Sequence, residues 1–366
     1  MSLRDLRRHA GQLALLGFAG HEIPPELKTI AREFDIGGVI FFARNIVSPQ
    51  QVLELSREAR TLARDIPLWI SVDQEGGRVA RLKDPFTRWP PMIALGRAPE
   101  GQAEALARRF AAALATELKA VGINLDFAPV LDVHTNPKNP VIGDRALGER
   151  ADQVARLGRA IIETLQDTGL AACGKHFPGH GDTSTDSHHE LPIVEQPPER
   201  LREVEFVPFK AAIQAGVASI MTAHVLIPAV DGERPATLSP ALVDGMLKQE
   251  LGYGGLVLSD DLEMKAISER YAPGEAAAAA IAAGCDAFLV CGANADTHVA
   301  AIEGVIRAVE AETLSIMRVE DALARHRRVK ERFLAGPPSR LDPSRLTDVL
   351  GRGEHLAIAE EMARFA

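Results

Sequence analysis

Short apolar runs recur along the whole chain, separated by longer segments in which apolar residues return every three or four positions. Runs at 13–18, 37–42, 67–73, 123–130, 170–176, 218–224, 255–260 and 286–291 read as strands. Between most of them, amphipathic helices are predicted at 49–64, 101–121, 152–168, 203–215, 240–251 and 274–283. Eight strand–helix units spread over roughly 300 residues suit a single-domain α/β architecture, the (β/α)8 TIM barrel, for which ~250 residues is typical. A doubly wound open sheet is the rival, because counting strands does not prove closure. The polar residues favour the barrel: Asp73, Asp126, Lys175 with His176, His224 and Asp260 fall at the C-terminal ends of several different strands. Only a closed barrel brings so many strand ends to one pocket, whereas an open sheet gathers them at its switch point alone. After a last helical pattern at 319–333, Pro337, Pro338 and Pro343 break the periodicity. The barrel is therefore expected over 1–336, with 337–366 a helical C-terminal extension too small for an independent domain.

Composition narrows the class without naming a function. With 366 residues, 46% hydrophobic and 25% charged, the chain has material for a large core. Its net charge of −9 argues against nucleic acid or an anionic membrane as partner. Arg4, Arg7 and Arg8 make a basic start, but no apolar core of signal-peptide length follows. No run approaches the ~20 apolar residues of a membrane span. Three cysteines, Cys173, Cys285 and Cys291, two of them in apolar strand contexts, point to buried reduced thiols and a cytoplasmic location.

Chemistry concentrates in 175–192, KHFPGHGDTSTDSHHELP, which packs four histidines, three acidic residues and a lysine into 18 positions. A structural loop needs Gly, Pro, Asn and Asp but has no use for four histidines, so this stretch reads as an active-site loop after a buried strand. Its upstream edge, Gly169 to Lys175, has the spacing of a phosphate-binding P-loop. His176 stands where the magnesium-binding Ser or Thr belongs, however, and LAAC reads as strand interior, so the match is fortuitous. His176, His180, Asp182, His188 and His189 also offer zinc-ligand chemistry. No second histidine follows His189-Glu190 at helical spacing, and adjacent histidines in extended chain point apart. Proton transfer is the better use of the cluster, and no metal or other cofactor is expected.

Asp186 and His188 stand two residues apart, so in extended chain they share a side and the carboxylate can orient the imidazole as a general acid and base. Taken alone, the same tripeptide would be an ordinary Asx-turn beside a solvated histidine. At 255–261, GLVLSDD runs a buried strand directly into Asp260 and Asp261. A strand-end acid is rigidly held and suits a nucleophile, although either acid could instead cap a helix beginning near Leu262. Asp73, closely followed by Glu75, Gly76, Gly77 and Arg78, and then Arg81, offers carboxylate and guanidinium groups for a polyhydroxylated ligand. A tight turn with a surface ion pair is the plainer reading. Arg145 is presented by a Pro- and Gly-punctuated loop, and His224 ends the strand after Met221 and Thr222.

Taken together, VDQEGGRV with Arg81, NLDFAPVLD, NPVIGDRALG, KHFPGHGDTSTDSHHELP, IMTAH and LSDDLEMKAI, in that order, resemble glycoside hydrolase family 3. Within it the likeness is to the single-domain β-N-acetylglucosaminidases of the NagZ type, and it spans about residues 13–291. The resemblance implies a (β/α)8 barrel and retaining hydrolysis of terminal β-linked N-acetylglucosamine. In cytoplasmic bacterial members it also implies a role in peptidoglycan recycling, with a muropeptide as carbohydrate substrate. Carried over position by position, Asp260 matches the nucleophile, His188 the general acid/base and Asp186 that histidine's partner. Asp73, Arg81, Arg145, Lys175 and His176 match sugar-binding residues, and His224 is carried over as a pocket-wall residue. A monomer or weak homodimer is expected. The runner-up activities are a phosphorylase or broader β-glycosidase of the same family and, from another class, a non-catalytic muropeptide sensor.

Overall fold

The computed structural model describes residues 3–183, 191–336 and 343–366. Asp186, His188, His189 and the 337–342 segment lie outside the described residues. Eight parallel strands close into a barrel: Ala14–Leu16 (β1), Gly38–Phe41 (β2), Trp69–Val72 (β3), Leu125–Asp126 (β4), Ala171–Phe177 (β5), Ser219–Thr222 (β6), Leu256–Asp261 (β7) and Ala287–Val290 (β8). Each strand pairs with its neighbours in sequence, and β1 closes the ring by pairing with both β2 and β8 (Leu15 with Gly38, Ala14 with Phe288). All eight predicted strands are present, mostly shorter than predicted, and the open-sheet alternative is excluded.

Alternation along each strand divides the core in two. Leu15, Ile40, Trp69, Leu125, Cys173 and Leu258 belong to one apolar cluster, which fills the barrel interior. Their neighbours Leu16, Val39, Ile70, Ala172 and Val257 belong to the other, which packs against the surrounding helices. The closed barrel leaves no sheet edge, so both faces of every strand are covered and the runs read as continuously apolar. One end of the barrel is sealed by the helix Ile316–Leu334. Its Arg325, Arg328, Lys330 and Arg332 donate to the carbonyls of Tyr253, Gly254, Gly37 and Gly216, all in the loops that lead into strands. Its buried His326 accepts the indole N–H of Trp69 at 2.8 Å. The opposite end, where the strands finish, stays open.

The six helices predicted between strands are present, and among the described residues the longer helices Leu3–Gln12, Pro25–Phe34 and Ala295–Glu310 were not foreseen. The helix predicted at 240–251 is wound in the wider i→i+5 pattern over Ala241–Glu250. The C-terminal extension is a 3₁₀ segment, Pro343–Asp348, followed by the helix Gly353–Ala363, which packs on the helix Glu100–Ala120. Glu117, on that helix and almost fully buried, joins the two. It accepts from His355 Nδ1 at 2.7 Å, the amide of Gly351 at 3.0 Å, and the amide and hydroxyl of Thr87 at 2.9 and 2.7 Å.

Candidate active site

The open end of the barrel holds a cavity of about 310 Å³. Asp73, Glu75, Arg81, Arg145, Lys175, His176, His180, Asp260 and Asp261 all reach it, and Phe42, Phe127, Met221 and Leu289 supply apolar wall. This lies at the small end of the ~300–1,000 Å³ range of ligand pockets. A larger cavity of about 590 Å³ lies elsewhere, lined by Arg60, Lys119, Asn124 and Phe333 among others. There Arg60 and Lys119 are committed to the backbone carbonyls of Gly122 and Thr168, so size alone does not mark the chemistry.

Three chain segments build the floor. After β3 the chain makes a small hairpin, Gln74–Gly76 with Val79–Ala80, turned at Gly76 and Gly77, whose φ angles are +111° and +55°. The turn brings Arg81 back over Asp73, Nη2 to Oδ2 at 3.2 Å. The turn Gly143–Arg145 presents Arg145, which grips Glu75 with two parallel bonds of 2.8 Å. From β5, Lys175 Nζ sits between Asp73 Oδ1 at 2.8 Å and Glu75 Oε1 at 2.7 Å. Burial by itself would push these carboxyls up. For Asp73 the charges of Lys175 and Arg81 outweigh that, and for Glu75 those of Lys175 and Arg145, so both are held below the usual carboxylate range. Burial likewise works against the Lys175 ammonium, but Asp73 and Glu75 raise its pKa above the usual lysine value. The result is a cross-linked set of charged hydrogen-bonding groups that hold one another in place.

The fortuitous P-loop spacing of Gly169–Lys175 runs into buried strand β5 from Ala171 on, as its apolar interior implied. His176, also on β5, sets Nδ1 2.7 Å from Asp132 Oδ2. Asp132 additionally takes the amide of His180 at 2.7 Å. His180 Nδ1 lies 2.7 Å from the Thr183 hydroxyl, and burial drives the His180 pKa down to about 4. Asn139 holds the same loop by donating to the His180 carbonyl at 2.7 Å and the Thr183 hydroxyl at 3.1 Å. Across the cavity, Asp260 and Asp261 end β7. Asp260 Oδ1 accepts the amide of Asp261 at 2.7 Å. Asp261 reaches the amides of Cys291 and Glu263 at 3.0 and 3.1 Å, and burial raises its pKa to about 6.

Of the residues expected from the sequence, Asp73, Arg81, Arg145, Lys175, His176 and Asp260 converge on this cavity. His224 does not form its wall. It is buried behind β7, with Nδ1 2.8 Å from the Thr237 hydroxyl and Nε2 2.8 Å from the carbonyl of Asp261. Asp132 was not singled out, and Glu75 and His180 were named only as a carboxylate beside Asp73 and as a possible zinc ligand, though each stands inside a motif quoted for the resemblance. What gives them roles is contact across long stretches of chain, 70 residues for Glu75 with Arg145. Asp126 belongs to the floor's underside: fully buried, it accepts the Gln74 amide at 3.0 Å, and burial pushes its pKa well up. Among the described residues, no cluster of three or more His, Cys, Asp or Glu is arranged to hold a metal ion. No helix among them is long and apolar enough to cross a membrane.

A closed (β/α)8 barrel with acids, cations and histidines gathered at its strand ends is the architecture of a barrel enzyme with its site at that face. The family is settled by sequence: residues 5–329 match the model described as "Glycosyl hydrolase family 3 N terminal domain", and the chain belongs to that family of glycoside hydrolases. It is 42% identical to a β-hexosaminidase of Thiobacillus denitrificans over 281 residues, 76% of this chain and 77% of that protein. A family 3 β-N-acetylglucosaminidase from Paenibacillus sp. superposes with a TM-score of 0.92 at 42% identity, covering 100% of this chain and 69% of the other. NagZ from Neisseria gonorrhoeae, solved with N-trifluoroacetyl-D-glucosamine, superposes at 0.80 with 32% identity, covering 97% and 98%.

Proposed function

We propose that the protein is a retaining exo-β-N-acetylglucosaminidase that works by double displacement. The observation that carries this reading is Asp260 at the end of β7, facing a cavity already lined with fixed hydrogen-bonding groups for a single sugar ring. In the proposed cycle Asp260 attacks the anomeric carbon while His188 gives a proton to the departing oxygen. His188 then takes a proton from water as that water cleaves the glycosyl-aspartate. Asp186 orients the imidazole. Asp73, Arg81, Arg145, Lys175 and His176 bind and orient the ring, and His224 fixes the backbone behind the nucleophile. An imidazole in place of a second carboxylate avoids setting another anion beside the nucleophile. The proposed substrate class is a saccharide with non-reducing β-N-acetylglucosamine. The proposed natural substrate is a muropeptide met in the cytoplasm during peptidoglycan recycling; three free, buried cysteines are compatible with such a reducing compartment.

The test is hydrolysis of matched aryl β-N-acetylglucosaminide and aryl β-glucoside, with the first product anomer read by NMR. Preference for the acetamido sugar with β-anomer formed first is expected; first-formed α-anomer would exclude double displacement. Adding phosphate separates a phosphorylase, which would release sugar 1-phosphate, and any turnover excludes a sensor without catalysis.

A further inference from the structure

Asp132 contributes nothing to the cavity surface, yet three N–H groups converge on it. Its side chain is fully buried. Oδ1 takes the His180 amide at 2.7 Å, the His176 amide lies 3.3 Å from both oxygens, and the His176 ring nitrogen Nδ1 lies 2.7 Å from Oδ2. An ionised carboxylate has only acceptor sites, so the ring nitrogen facing it must be the one that carries the proton. His176 and His180 offset the cost of burial and keep the Asp132 carboxyl below the ordinary range, so the acceptor persists at neutral pH. The remaining ring nitrogen of His176, Nε2, has no partner among the described residues, and His176 is one of the residues lining the cavity.

We propose that Asp132 is a positioning residue that fixes His176 in its Nδ1–H tautomer, so that His176 Nε2 offers the cavity a hydrogen-bond acceptor and selects a sugar hydroxyl that donates to it. The proposal rests on the glycosidase reading for its substrate and on geometry alone for the tautomer. It has a consequence for specificity, because a buried acceptor left without a donor is costly. Fluorine keeps the size of a hydroxyl and its electronegativity but has no proton to give. At one ring position, the fluorinated substrate should therefore be rejected.

Two measurements test this. Long-range ¹⁵N–¹H correlation of ¹⁵N-histidine-labelled protein, with the His176 signal assigned through His176→Gln, should show the proton on Nδ1. In Asp132→Asn the amide can present its own N–H groups to Nδ1, and the proton should move to Nε2. Kinetics follow the same switch. With each ring hydroxyl of an aryl β-N-acetylglucosaminide replaced in turn by fluorine, one analogue should lose about 100-fold in kcat/KM on the parent enzyme. In Asp132→Asn the hydroxyl substrate should fall by a comparable factor, and the ratio between it and that analogue should collapse toward unity. A proton on Nε2 in the parent overturns the proposal, as does an Asp132→Asn protein with unchanged tautomer and unchanged fluorine discrimination. Failure to cleave any N-acetylglucosaminide would sink the glycosidase reading alone; the tautomer in the unaltered protein still decides this one.

Discussion

Asp260 and Asp261 are consecutive residues whose carboxylates serve different ends. Asp260 Oδ1 accepts the amide of its own neighbour at 2.7 Å, whereas Asp261 reaches across to the Cys291 amide at 3.0 Å and so ties the end of β7 to the segment after β8. Both acids reach the cavity, and the second also holds the strand ends together.

The two should separate on substitution. Asp260→Ala should abolish turnover with little change in melting temperature, because its carboxylate supports only a local amide. Asp261→Ala should leave measurable activity but lower stability, since it orphans the amides of Glu263 and Cys291 at about 1–3 kcal/mol each where buried. Turnover assays paired with thermal melts check this, and the reverse pattern would reassign the nucleophile.

Glu75 is predicted to matter as much as the residues that would touch sugar. Its side chain bridges Lys175 and Arg145 and is nearly inaccessible. Glu75→Gln keeps the shape but removes the charge that both cations share. Breaking a buried pair in this way costs about 3–5 kcal/mol. A raised KM, a lower melting temperature and a partial loss of kcat are expected; wild-type KM would mean that the floor does not depend on this carboxylate.

The strands were the legible part of the sequence because a closed barrel buries both their faces, and an uninterrupted apolar run such as 287–291 then has few other readings. Two of the overlooked helices show why the rest was harder. In Pro25–Phe34, the Pro24-Pro25 pair resembles a loop, although proline is compatible with the first helical position, where Pro25 sits. In Ala295–Glu310, Gly304 weakens the helical pattern, but a Cβ there would lie 2.2 Å from Gly274 Cα, so the close approach of two helices demands the glycine. At the site, strand-end residues announced themselves one by one. The pairings that give Glu75 and Asp132 their roles are set by barrel closure, which single motifs do not carry. His224 was misplaced for the same reason: a strand-end histidine can face the cavity or the layer behind it, and here Thr237 and Asp261 hold it in the second.

The C-terminal extension should behave as part of the barrel's outer layer. Glu117→Ala removes the acceptor shared by Thr87, Gly351 and His355 and strands buried donors at about 1–3 kcal/mol each. Lower thermal stability and faster limited proteolysis within 343–366 are expected. Unchanged protection of the extension would show that its apolar contacts, Leu346 and Met362 among them, suffice without the hydrogen bonds.

Lys330, in the helix that seals the other end of the barrel, should give the protein a pH-dependent stability unrelated to catalysis. Burial, opposed by the charge of Asp35, lowers its pKa to about 7, against about 10.4 in the unfolded chain. Between those values the unfolded state binds more protons, so this group makes stability rise with pH across about 7 to 10. Lys330→Met should therefore gain most over the parent near pH ~6 and lose that advantage toward pH ~10. Denaturant titrations of both proteins across the range check the sign, and a gain that grew with pH would refute it.

The proposed acid/base is tested by substrates whose leaving groups differ in their need for a proton. In double displacement His188 would assist departure in the first step and activate water in the second. A dinitrophenolate leaves without protonation, so His188→Ala should spare glycosylation of a dinitrophenyl β-N-acetylglucosaminide far more than that of an alkyl or sugar glycoside. Its glycosyl-enzyme should accumulate as a burst, and azide should speed release by replacing activated water as nucleophile. Asp186→Asn should act as a weaker copy, keeping the imidazole but losing the charge that orients it. Chelation provides the control against the zinc reading of the same histidines, a pertinent one because the gonococcal NagZ has also been solved in complex with a zinc ion. Full activity after exhaustive chelation is expected, and activity lost to chelator and restored by zinc would return His188 and its neighbours to metal binding. If His188→Ala instead slowed activated and unactivated substrates by the same factor, His188 would be a binding residue. His180, whose imidazole reaches the cavity, would then be the first alternative to test.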